Sequence, residues 1–160
     1  MFSFLIRNKK IIFIAGVVIL MSALVLFAEQ EVHQVPFAFR IGDNTITLEI
    51  VKTEYARMQG LSGRTSIKEN TGMLFVFEEP GRYPFWMRDM HFSIDIIWLD
   101  NQFKVIHVER EVAPETYPEL FAPTQDALYV LEIREGVAEE LGIVEGTLLD
   151  PVYSSQRQEA

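Results

Sequence analysis

The sequence predicts a mostly β (α+β) domain: small, mainly antiparallel and barrel-like, with two short helices, preceded by one N-terminal transmembrane helix. Three observations carry this. Phe37 to Ile50 alternates apolar and polar residues around a turn, the period of strands with one buried face. Seven or eight short strand-like runs stand against only two short helical stretches, a proportion that fits packed β structure and not βαβ units. The third is Ile11–Ala28, eighteen residues without a charge.

As a helix, that stretch is about 27 Å long, close to the roughly 30 Å of a bilayer's hydrocarbon core. It has no polar face, which a buried core helix needs, and a basic cluster of Arg7, Lys9 and Lys10 precedes it. A cleavable signal sequence has a shorter apolar part, and Leu26 fits poorly before a cut after Ala28. An uncleaved anchor is the better assignment, with a cleaved secreted form as the alternative. The basic cluster keeps residues 1–10 in the cytoplasm and sends the domain to the extracytoplasmic (periplasmic) side. Residues 29–36 are polar and end in a proline, a linker off the membrane.

Residues 37–153 form the single β-rich domain. Phe37, Phe39 and Ile41 pair across Gly42-Asp43-Asn44 with Ile46, Leu48 and Ile50 as a hairpin. Thr53 caps a short helix over Glu54–Gln59 that Gly60 ends, with Tyr55 and Met58 facing the core. Leu61–Asn70 is a loop. Met73–Phe77 is a strand buried on both faces, closed by the turn Glu78-Glu79-Pro80-Gly81. Tyr83–Met87 is extended, and Pro84 confines at least its start to an edge or an irregular strand. Ser93–Leu99 and Phe103–Val108 are antiparallel strands about Asp100-Asn101, and Ala113–Pro123 is a long surface loop. Ala127–Ile133 is a strand, Val137–Leu141 a helical turn, and Gly146–Leu149 a last short strand. Residues 154–160 are a frayed tail.

These residues carry a family resemblance. From about Val51 to Leu149 the chain resembles the domain-of-unknown-function family 192. The carriers are Gln59-Gly60-Leu61 with Arg64, Gly72–Phe77, Phe85-Trp86-Met87, Ile94–Ile97, Val130-Leu131-Glu132 with Gly136, and Ile143–Gly146. Ser62 and Thr147 depart from the family pattern, which usually has an apolar residue and often an Asp there. The resemblance implies an exported or tethered protein, and it implies no activity.

After Ala28 the chain carries 11 basic and 23 acidic side chains, a formal charge of −12. Such a surface repels phosphate backbones and disfavours nucleic acid on charge alone, so no nucleic-acid partner is expected. There is no cysteine, hence no disulfide, thiol nucleophile or Cys-ligated metal. HExxH, Gly-x-Ser-x-Gly and phosphate-loop patterns are all missing. His91 and His107 with Asp89 and Asp95 lack ligand spacing, so neither a metal nor a cofactor is expected.

The chemistry concentrates in Gly72–Asp100. Asp95 sits between Ile94 and Ile96 in a strand that should be buried. A buried carboxylate needs a cation or several donors, and Arg64 or Arg88 is the expected partner. Trp86 and Arg88 share a parity with Met90, while Phe85, Met87 and Asp89 share the other. Trp86 is then a core residue under Arg88, or a platform for a saccharide or a protein segment. The candidate ligand-binding set is Arg64, Trp86, Met87, Arg88, Asp89 and Asp95. The expected function is a membrane-tethered extracytoplasmic binding or accessory domain. One alternative is a hydrolase or lyase acting on envelope polysaccharide with Asp95 as acid/base; another is a purely structural partner-docking domain.

Overall fold

A computed structural model describes residues 34–154. The basic N-terminus, the expected membrane helix, residues 29–33 of the linker and the tail from 155 lie outside the described residues. Seven strands, numbered in chain order, form one sheet: β1 Ala38–Ile41, β2 Asn44–Val51, β3 Thr71–Gly81, β4 Ile94–Leu99, β5 Val105–Val112, β6 Ala127–Arg134 and β7 Asp150–Val152. Two short helices, α1 Glu54–Gln59 and α2 Val137–Glu140, complete it with one 3-10 turn at Pro114–Thr116.

The strand order is β5-β4-β6-β3-β2-β1-β7. Every pairing is antiparallel except β2 with β3, which α1 and its loop connect as a crossover. The sheet is not closed into a barrel. Its two ends instead meet through the segment before β7: Val105 N–H donates to Thr147 O at 2.8 Å and Leu149 N–H to Phe103 O at 3.1 Å. The sequence places a final strand at Gly146–Leu149, but those residues bridge to the start of β5 and the strand proper begins at Asp150.

Both faces of the sheet are covered, which is why all six residues of β4 are buried. One face carries Phe39, Leu74, Ile97, Leu99, Leu131 and Ile133, closed over by Ala138, Ile143 and Leu149. The other carries Val51, Met73, Phe75, Ile96, Trp98 and Val130, closed over by Leu61 and Met87. Burial at roughly 1.5–3 kcal/mol per large apolar side chain makes these two layers the main source of stability.

Two local expectations change. The helix α1 forms as the Thr53 cap predicts, Thr53 Oγ1 accepting from Ala56 N–H at 3.2 Å. Its core contact comes from Ala56 and from Leu61 beyond Gly60, so Tyr55 and Met58 face outward at 77% and 60% exposure. Gly60 stands against the Phe75 ring, a Cβ there lying only 3.4 Å from it, and its φ of +48° suits glycine. The strand β3 also runs on through Glu78–Gly81 where the sequence places a turn, its register against β6 shifting between Val76 and Gly81. After it, Tyr83–Met87 runs irregularly, meeting the 117–121 loop by the isolated bridge Phe85–Phe121.

Candidate functional site

Asp95 is fully buried, at 0% exposure, and meets no arginine. One carboxylate oxygen accepts the Glu111 N–H at 2.8 Å and the other accepts the Ala138 N–H at 2.8 Å. Glu111 sits at φ +50° where the β4–β5 register slips, and Ala138 lies in the first turn of α2. Gly136, the residue at the head of that helix, has no side chain to cap it. Asp95 supplies the acceptor that a Ser or Asp at that position normally would. Two amide donors satisfy its two oxygens, so the expected ion pair is replaced by a tie between bulge and helix.

Arg64 is committed elsewhere. It forks onto Glu49 at 2.6 and 2.7 Å, both side chains partly exposed. That pairing raises the Arg64 pKa and lowers that of Glu49, the hydrogen bond being the largest cause in each case.

The polar side chain that the sheet does leave without a partner is Glu132. It is 5% exposed, and its Oε2 has no hydrogen-bond partner. The register explains where it points. Glu49 pairs with Met73, Met73 with Glu132 and Glu132 with Ile96, so these four share the face that α1 and residues 83–90 cover. Asp95 pairs with Ile133 and faces the opposite side. Burial is the dominant cause that pushes the Glu132 carboxyl up to about 8, offset in part by the positive charge of Arg64. At neutral pH it is mainly a neutral acid.

Glu132 lines a cleft of about 430 Å³ between α1 and the Tyr83–Met90 crossing. Phe75 and Phe85 contact edge-to-face beneath it, their centroids 4.8 Å apart. Phe77 and Tyr83 stack at 3.5 Å along one side. Trp98 holds the crossing to the sheet, its indole N–H donating to Tyr83 O at 2.9 Å. At the other end two bonds tie the lips together: Ser62 Oγ to Arg88 O and Gly63 N–H to Asp89 O, both 2.8 Å.

Arg88 lies along this cleft. Its guanidinium covers Trp86, 5.1 Å from the ring, yet its Nε is buried without a hydrogen-bond partner. The nearest carboxylate oxygen, on Asp89, is 3.9 Å away, too far for a hydrogen bond. Trp86 is 44% exposed and touches Tyr117 edge-on at 5.9 Å; it is a rim residue and not core. Arg57 covers Phe77 at 5.1 Å and donates to Val76 O.

Of the sequence candidates, Trp86 and Arg88 line the cleft. Met87, 1% exposed, is buried in the core on the cleft side of the sheet and does not line the cleft, whereas Phe85, of the same parity, does. Asp89 is exposed at the lip, the alternation breaking at its φ of +56°. Arg64 stands beside the cleft and Asp95 on the far face of the sheet. The residue missed is Glu132, although the signal was present: in Ala-Leu-Tyr-Val-Leu-Glu-Ile it is a carboxyl mid-strand, the pattern that singled out Asp95.

His107 lies between Glu109 at 2.9 Å and Glu145 at 3.2 Å. Among the described residues no group of three His, Asp or Glu side chains is arranged to hold a metal.

The family model DUF192, described as "Uncharacterized ACR", matches residues 37–151. A crystal structure of a protein of unknown function from Novosphingobium aromaticivorans DSM 12444 is similar, with a TM-score of 0.66 and 28% identity over 72% of this chain and 84% of that one. A crystal structure of a "putative transcription regulator" from Sinorhizobium meliloti 1021 has a TM-score of 0.66 and 22% identity, covering 71% of this chain and 90% of that one. No curated protein matches the chain.

Proposed function

The chain belongs to the DUF192 family, and we propose that it is a membrane-tethered extracytoplasmic binding domain whose ligand enters the cleft between α1 and the Tyr83–Met90 crossing. One observation carries the proposal: a buried carboxyl oxygen on Glu132 without a partner, at a cleft of aromatic and thioether side chains with a few polar ones, Arg57, Gln59 and Arg88 among them. Buried polar atoms are almost always hydrogen-bonded, and leaving one unsatisfied costs about 1–3 kcal/mol. A ligand that meets it recovers that energy. A largely preformed apolar cavity with a few convergent polar groups is the usual form of a small-molecule site.

Tethering rests on the uncharged Ile11–Ala28 stretch and the basic residues before it. Among the described residues, no helix is long and apolar enough to cross a membrane. The name of the Sinorhizobium protein belongs to that protein, and at 22% identity the likeness concerns the fold alone. With a formal charge of −12 beyond Ala28, a nucleic-acid partner is disfavoured for this chain.

A hydrolase or lyase acting on envelope polysaccharide is the second reading, favoured by a cleft carboxyl with a pKa near 8. In it Glu132, and not Asp95, is the acid, because both Asp95 oxygens are held by backbone amides on the other face. A ligand screen by thermal shift on the full-length protein, repeated on Glu132→Gln and Trp86→Ala, separates the readings. Binding without turnover supports the binding domain, and release of product from a bound saccharide supports the enzyme. Hits that shift both variants as much as the wild type place the ligand outside the cleft and sink the proposal.

A further inference from the structure

Resting on the cleft as the binding site, we propose that its occupant is an organic carboxylate with an apolar body, its head taken by Arg88 Nε–H and the Glu132 carboxyl. Both atoms are buried, both belong to side chains of one cleft, and neither has a partner. A carboxylate offers two oxygens with about four acceptor positions, enough for both donors.

The unpartnered donor decides the sign of the head group. The charged side chains about the cleft are Arg64 from the loop and Glu49 from β2, which pair with each other, Arg57 and Glu54 from α1, and Arg88 and Asp89 from the crossing; of these, the charge that acts on Glu132 is that of Arg64. Three are cations and three carboxylates, and among them Arg88 leaves a buried donor, its Nε–H, without an acceptor. A cationic ligand in an aromatic cleft needs a free ring face. Here Arg57 already covers Phe77 and Arg88 already covers Trp86. An ammonium would meet two guanidiniums where it needs a π-face. With its pKa raised to about 8, Glu132 carries its proton at pH 7 and presents a donor, the same polarity as Arg88. The body is set by Phe75, Phe85, Met58 and Met90, which offer rings and thioethers and no other unpaired charge.

Three probes with one body isolate the head: 3-phenylpropionate, 3-phenylpropylamine and 3-phenylpropanol, titrated into the full-length protein by tryptophan fluorescence. The carboxylate is expected to bind at least about tenfold more tightly than the other two, a difference of roughly 1.4 kcal/mol. Its affinity should fall as pH rises through the Glu132 midpoint, since the deprotonated form repels it. Glu132→Gln, which keeps a donor, should retain binding and lose that pH dependence. Arg88→Lys keeps the charge but removes the Nε donor and should lose about tenfold; thermal melting of each variant reports its folding. Tighter binding of the amine or the alcohol, or carboxylate affinity that rises with pH, overturns the carboxylate assignment and leaves the cleft standing as a binding site. Failure of all three probes also overturns that assignment, and if the broader ligand screen is silent too, the binding-domain proposal falls with it.

Discussion

Asp95 and Glu132 stand one register step apart on the adjacent strands β4 and β6 and face opposite sides of the sheet. Both are carboxyls buried among apolar neighbours, yet their fates differ completely. Asp95 has two amide donors and is structural. Glu132 has an oxygen without a partner and a raised pKa. The difference comes from what covers each face: the first turn of α2 aims an N–H at one, and an open cleft lies over the other.

Asp95→Ala should be among the most destabilising single substitutions in the domain. It leaves the Glu111 and Ala138 amides without acceptors, and each buried donor left unsatisfied costs about 1–3 kcal/mol. A loss of about 3 kcal/mol or more in chemical denaturation is expected. A loss below 1 kcal/mol would remove the structural role assigned to this residue.

For Glu132 the sign is opposite. Its folded pKa of about 8 lies above the ordinary 4.5, so the folded chain holds a proton that the unfolded chain releases between these values. Its contribution is fully favourable below about pH 4.5 and is lost as pH rises through about 8. Glu132→Gln does not titrate, so its stability relative to wild type should climb by about 1.4 kcal/mol per pH unit across that window. Denaturation at pH 5 and pH 7.5 should thus differ by roughly 3 kcal/mol in the wild-type-to-variant gap. A gap that does not change with pH contradicts the burial argument.

Arg64→Gln tests two statements at once. The exposed Arg64–Glu49 pair should contribute less than about 1 kcal/mol, so melting should hardly move. The Glu132 carboxyl, however, loses the nearby positive charge that lowers its pKa, and its midpoint should rise. A large stability loss would revive Arg64 as a pin for the sheet.

Gly72→Ala should destabilise the wall beside Glu132. A Cβ there lies 2.8 Å from Leu131 Cδ1, 2.9 Å from Ile133 Cγ2 and 3.1 Å from the backbone oxygen of Glu132. Overpacking of this kind costs about 1–3 kcal/mol, and a melting temperature equal to wild type would show that β3 and β6 can separate there.

Most of the fold was legible because its signals are local. The Thr53 cap, Gly60, the Gly42 turn and the period-2 alternation of Ile46–Ile50 each reappear in place. Tyr55 and Met58 were misplaced because a six-residue helix is held by its ends, Ala56 and Leu61 carrying the contact. Barrel closure depends on how the strand ends meet, through Val105, Thr147 and Leu149, and no pattern in the chain encodes that. The site was half legible. Trp86 and Arg88 lie in one short segment, so their neighbourhood follows from sequence. The partner of Asp95 does not: a carboxylate can be answered by a guanidinium or by backbone amides, and only the position of α2 decides. Glu132 faces the cleft because of its cross-strand register with Met73 and Ile96, a relation between residues far apart in the chain.

The most direct test is a pH titration of the Glu132 side-chain carboxyl carbon by NMR, in the full-length protein with labelled glutamate, assigned by loss of the signal in Glu132→Gln. The predicted midpoint is about 8. A midpoint in the ordinary carboxylate range of about 4 to 5 would mean that the oxygen is solvated or paired, and the binding proposal would lose the unmet carboxyl that carries it.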